Sequence, residues 1–173
     1  TAAAVPSGVD YETAIGTRFF KVVTIAFLLA MGAQVGGISQ LANLGSERVD
    51  RATGAAAVSI LALASVISRL VGGVVADRLS LMLTTALTVL QGVALLAIGV
   101  SDSRTTLLLS AALFGTTIGN LLMLQPLIIA AGFGVVAYPR IFALEQLIVT
   151  VGIAGGPLLL GFLRDQATYQ ASY

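Results

Sequence analysis

The stretch Ala52–Ala76, ATGAAAVSILALASVISRLVGGVVA, decides the fold. A helix needs about 20 predominantly apolar residues to cross the hydrocarbon core of a bilayer. This run exceeds that length and carries one charge, Arg69. Its polar and apolar residues do not alternate in steps of two, as a transmembrane β-strand would require. The stretch therefore predicts a transmembrane helix with an arginine inside it.

Working outward, four further runs qualify: Val22–Leu44, Leu79–Val100, Thr105–Ala131 and Ile141–Leu163. The breaks between them are short and polar: GSERVDR, DR, SDSR and GFGVVAYPR. Connections this short force successive helices to run antiparallel. The expected fold class is all-α, a polytopic membrane helical bundle of about five transmembrane helices. Residues 1–17, small and polar with Pro6 and Gly8, read as an exposed linker ahead of the first span.

Composition agrees. The chain has 173 residues, 57% hydrophobic and 10% charged, against about a quarter charged in a soluble domain. With so few charges, most of its surface must face lipid. A net charge of +1 is far from the basic balance of a nucleic-acid binder. The chain has no cysteine and no histidine, which excludes thiolate chemistry and removes the commonest metal ligand and general base. Neither catalysis nor a metal or cofactor is expected. Lysine and arginine tie across the membrane: Arg18, Lys21, Arg78 and Arg140 on one side, Arg48, Arg51, Arg104 and Arg164 on the other. The positive-inside rule cannot orient such a chain.

Only two charged residues lie well inside a span, Arg69 and Glu145. A charge at the bilayer centre costs several kcal/mol. Arg69 precedes Asp77 by eight residues, roughly 12 Å along a helix, which is near the limit of snorkelling. A guanidinium at that depth needs an anion, for which its planar fork is suited. Glu145 is the internal candidate and an anionic substrate the external one. Asn120, Gln125 and Gln146 are further polar groups of the spans, and such amides are more often interhelical glue than ligands. Glycines at four-residue spacing, Gly32/Gly36 and Gly115/Gly119, predict close helix crossings. Pro157 predicts a kink in the fifth span.

RLVGGVVADRLS resembles the loop signature of the major facilitator superfamily, with Gly73, Asp77 and Arg78 matching and Ser80 in place of a second glycine. The resemblance implies a brace at the membrane surface for that trio. The spacing Arg69, Gly73, Asp77 is similar to the eighth helix of the monocarboxylate transporter and oxalate–formate antiporter group, where the matching arginine binds the substrate carboxylate. LFGTTIGNLLMLQPLIIAAGFGVVAYPRIFALEQ and GGPLLLGFLRDQATY resemble that group's tenth and eleventh helices. The resemblance implies that residues 18–173 are helices seven to eleven of twelve, with residues 1–17 the central cytoplasmic loop. The N-terminal half and helix twelve would then be partners in the intact transporter. Oxalate-type members carry a lysine in the eleventh helix. The only lysine here is Lys21, which favours a monoanion.

The resulting expectation is a secondary transporter in the cell membrane, moving a small organic anion by alternating access, coupled to protons or exchange. Arg69 would hold the anion, with Asn120, Gln125 and Gln146 beside it. Gly73, Asp77, Arg78, Glu145 and Pro157 would serve gating or structure. The rival expectations are an exporter of hydrophobic compounds, with Arg69 paired to Glu145, and a non-transporting subunit of a membrane complex.

Overall fold

A computed structural model describes residues 8–166, except the side chains of residues 74–80, 165 and 166. Helices dominate it: α1 (Tyr11–Gly16), α2 (Arg18–Arg48), α3 (Arg51–Gly99), α4 (Arg104–Phe133) and α5 (Tyr138–Gln166). Five segments are long and apolar enough to cross a membrane: α2, Arg51–Gly73, Leu81–Gly99, α4 and Tyr138–Arg164. The protein is thus an all-helical, multi-pass membrane protein.

Short polar residues start the helices. Asp10, Thr17, Asp50 and Ser103 are N-caps, accepting hydrogen bonds from the backbone N–H groups of Thr13, Phe20, Thr53 and Thr106. Each satisfies a donor that the first helical turn leaves free. At the other end of α4, Gly134 takes φ 72°, a left-handed conformation that glycine adopts without steric cost.

The second and third expected spans form one helical element, α3, where a DR loop was expected between them. A straight helix of 49 residues would be roughly 74 Å long. Yet both ends of α3 meet the same end of α2. Gly54 packs on Gly45, and an Arg48 guanidinium nitrogen donates to Gly99 O at 2.7 Å. The element therefore doubles back, giving two antiparallel arms, Arg51–Gly73 and Leu81–Gly99. Asp77 and Arg78 fall between the arms, and their side chains lie outside the described residues.

Register fixes the remaining directions. Gly32 meets Gly152 and Gly36 meets Gly156, so α2 and α5 run parallel. Gly115 meets Leu61 and Gly119 meets Ser65, so α4 runs parallel to the first arm of α3. Leu95 reaches Gly37, and the Gln91 side-chain amide donates to Ala30 O at 2.8 Å, so the second arm follows α2. The five spans alternate in direction, as their short connections require.

The interior divides into two apolar clusters. One, at the end where α2 begins, includes Phe20, Phe27, Met31, Leu121, Leu124, Ile141 and Val149. The other includes Leu41, Leu44, Leu61, Leu95, Leu107 and Phe114. Gln34 and Gln91, each 2% exposed, sit between them along their helices. The outer surface is apolar, with Leu29, Leu70, Met82 and Leu158 at 64, 73, 73 and 75% exposure. A surface so rich in exposed aliphatic side chains suits lipid rather than water.

The stretch expected to be an exposed linker is partly packed. Val9 N donates to Phe133 O at 2.9 Å, Gly8 bridges to Gly134, and the Arg140 guanidinium lies 5.0 Å from the centre of the Tyr11 ring. Ala14 is fully buried in the first apolar cluster. The short α1 thus straps the turn between α4 and α5 to the start of α2.

Candidate functional site

The polar groups inside the spans gather at two separate seams. The first lies between α3 and α4. There Gly119 lets the helices approach so closely that Arg69 lays its stem along α4, with Arg69 Cγ 2.8 Å from where a Gly119 β-carbon would stand. Ser68 Oγ donates to Thr116 O at 2.9 Å, linking the two helices. Asn120 is 7% exposed and donates through Nδ2 to Thr116 O at 3.0 Å. Asn120 Oδ1 has no hydrogen-bond partner among the described residues and points at Gly72.

A groove of about 510 Å³ opens at this seam. Both arms of α3 line it through Ser68, Gly72 and Leu83, and α4 through Thr116 and Asn120. Gly72 has no side chain to fill the space in front of Asn120, since a β-carbon there would overlap its amide. The Arg69 side chain is exposed, and among the described residues no carboxylate lies within ion-pairing distance of it.

The second seam lies between α4 and α5. Glu145 is fully buried. Gln125 Nε2 donates to its two carboxyl oxygens at 2.9 and 2.7 Å and approaches Gln146 Oε1 at 3.0 Å. The Gln125 amide has two hydrogens for three acceptors. Glu145 thus spends its contacts on an amide, and the Arg69–Glu145 ion pair considered from sequence is not formed. Gln125 and Gln146 belong with Glu145, while Asn120 lies on the α3–α4 seam, against Thr116 and Gly72.

Helical phase explains the division. Asn120 and Gln125 are five residues apart, which rotates one from the other by about 140° around α4. They cannot both face one neighbouring helix, so this separation was legible in the sequence spacing. The Ser68–Thr116 link was not, because its acceptor is a backbone carbonyl. Gly73 is exposed, and among the described residues nothing lies within 4 Å of where its β-carbon would stand. Pro157 is half-buried and α5 runs through it unbroken, as α4 runs through Pro126. The carbonyls four residues earlier, of Ile153 and Leu122, lose their usual helical donor at these prolines.

Ion pairs close the opposite end of the bundle. Arg164 pairs with Glu47, and Arg48 lies 3.6 Å from Asp102 while also donating to Ser101 O at 3.1 Å. Among the described residues no cluster of three or more potential metal ligands occurs. No protein-family model matches the chain, and no curated protein matches its sequence.

Proposed function

We propose that the chain is part of a secondary transporter of the major facilitator type, set in a cell membrane, that moves a small organic anion by alternating access. The observation that carries the reading is Arg69, a guanidinium deep in a span with no carboxylate partner among the described residues. An arginine at such depth is retained where an aqueous cavity and an anion stabilise it. Asn120, on the same α3–α4 seam, adds a second polar group, and lines a groove of about 510 Å³ together with Ser68 and Gly72. The exposed face of the first α3 arm would meet a second helical body, which the family resemblance equates with the N-terminal half. Solute held between two such halves near the midplane is the arrangement of these transporters.

The test is uptake of radiolabelled formate, lactate and pyruvate by lipid vesicles carrying the intact protein. Arg69→Ala is expected to abolish uptake with membrane insertion unchanged. Arg69→Lys is expected to retain part of it, because an ammonium keeps the charge and loses the bidentate fork. Normal uptake by both variants would overturn the reading.

A second reading, that of a non-transporting subunit of a membrane complex, draws on the exposure of Arg69 on the outside of the five-helix bundle. It predicts no uptake by wild type and a partner protein released by Arg69→Ala.

A further inference from the structure

Glu145 is a fully buried carboxyl that anion transport at Arg69 does not use. Its neighbours one turn either way on α5, Ile141 and Val149, are also fully buried, so it lies in the apolar stripe of the helix. Those two flanking residues belong to the first apolar cluster, together with Phe27 and Leu124. No cation among the described residues pairs with it; its polar partner is the Gln125 amide. An ionised carboxylate in such surroundings is very costly unless paired. As the neutral acid it gains one O–H donor, which meets the excess of acceptors around Gln125 Nε2.

A further polar group stands level with it. The register that sets Gly32 on Gly152 and Gly36 on Gly156, carried two turns back, brings Thr24 level with Leu144 and Glu145. Thr24 is 3% exposed, and its hydroxyl has no hydrogen-bond partner among the described residues. Toward the near end of the bundle the same apolar cluster continues through Ile141, Phe142 and the α1 residues Tyr11 and Ala14.

We propose that Glu145 is a proton-binding site, occupied in this closed arrangement and emptied when the end of the bundle beneath α1 opens. On release the carboxyl O–H bond breaks, the proton passes to an entering water, and the carboxylate keeps the Gln125 hydrogen bonds. A metal cation fits poorly, because it needs several oxygen ligands and Gln125 turns a nitrogen toward the carboxyl. Ionisable groups on the surrounding elements are confined to their ends: Tyr11 and Glu12 on α1, Arg18 and Lys21 at the near end of α2, and Tyr138 and Arg140 at the near end of α5. The far ends carry Glu47 and Arg48 on α2 and Arg164 and Asp165 on α5. The second arm of α3 and the adjoining half of α4 carry none. Coupling this proton to solute movement rests on the transport reading; the proton site itself does not.

Infrared difference spectra of the full chain in lipid vesicles, stepped from acid to alkaline buffer without any solute, test the site. A buried carboxylic acid carbonyl band is expected in wild type at neutral pH. It should vanish in Glu145→Gln, move without vanishing in Glu145→Asp, and shift in Gln125→Leu as the amide is lost. A wild type without the band, a band retained in Glu145→Gln, or one that appears only after sodium is removed would each overturn the proposal. Uptake of the radiolabelled carboxylates is measured on the same vesicles. The band with no uptake sinks the transport reading alone, and uptake without the band sinks the proton site alone.

Discussion

Gly119 of α4 rests against the carbonyl oxygen of Ser65 on α3, so closely that a β-carbon on Gly119 would collide with it. The same β-carbon would stand 2.8 Å from Arg69 Cγ and 3.0 Å from Ser68 Oγ. This crossing therefore sets both the spacing of the helices and the position of the arginine. Gly119→Ala must push α3 and α4 apart, because a backbone oxygen cannot swing away as a side chain can. Overpacking of this kind costs about 1–3 kcal/mol. The expected result is a lowered unfolding midpoint in detergent, together with weaker binding of any anion held by Arg69. Gly92→Ala is the control: a β-carbon there meets nothing within 4 Å, so the midpoint should hold or rise.

Two adjacent glycines of α5 give a sharper contrast. A β-carbon on Gly156 would collide with Gly32 O, whereas one on Gly155 has nothing within 4 Å. Gly156→Ala is expected to weaken the α2–α5 crossing by about 1–3 kcal/mol, and Gly155→Ala to change stability by less than about 1 kcal/mol. Comparing their thermal unfolding midpoints checks this. Equal effects at the two positions would mean that α2 and α5 do not cross there.

These glycines also mark how far the sequence alone reaches. Hydropathy located all five spans, since lipid imposes one length on each. The four-residue glycine spacing foretold the close crossings at Gly32/Gly36 and Gly115/Gly119, though not their partners. The partners depend on which helices become neighbours, and no local pattern encodes that. Gly152 and Gly156 proved to be half of one crossing. The polar residues were legible individually and not as sites, because grouping Arg69 with Glu145 ignored the faces their helices present. The strap formed by α1 was hidden: the ties of the preceding Gly8 and Val9 to Gly134 and Phe133 are backbone contacts, which no side-chain pattern marks.

Asp50 supplies a prediction about pH. Hydrogen bonds from the Thr53 backbone N–H and hydroxyl hold its carboxyl below the usual aspartate value, with the Arg104 charge adding to the effect. A carboxylate lowered by folding stabilises the folded state above its unfolded value, near 3.8. That contribution is lost as pH falls through the lower, folded value. In wild type the unfolding midpoint should fall more steeply below about pH 4 than in Asp50→Asn, which still caps the helix and does not titrate. Parallel acid profiles of the two proteins would show that the α3 cap contributes nothing to acid sensitivity.

Gln91 tests whether the polar layer between the two apolar clusters holds the bundle together. Its amide nitrogen donates to Ala30 O across the α2–α3 interface, while its own oxygen is buried and has no partner among the described residues. The two features oppose each other. An interhelical hydrogen bond inside a membrane is worth roughly 0.6 kcal/mol on average, and an unpaired buried carbonyl costs about 1–3 kcal/mol. Gln91→Leu removes both at once and leaves Ala30 O with its helical partner. The variant should therefore match or exceed wild type in unfolding midpoint, whereas Gln91→Ala should fall below it by roughly 1 kcal/mol or more through the cavity it opens. A loss in Gln91→Leu as large as in Gln91→Ala would mean that the Ala30 hydrogen bond outweighs the unpaired oxygen.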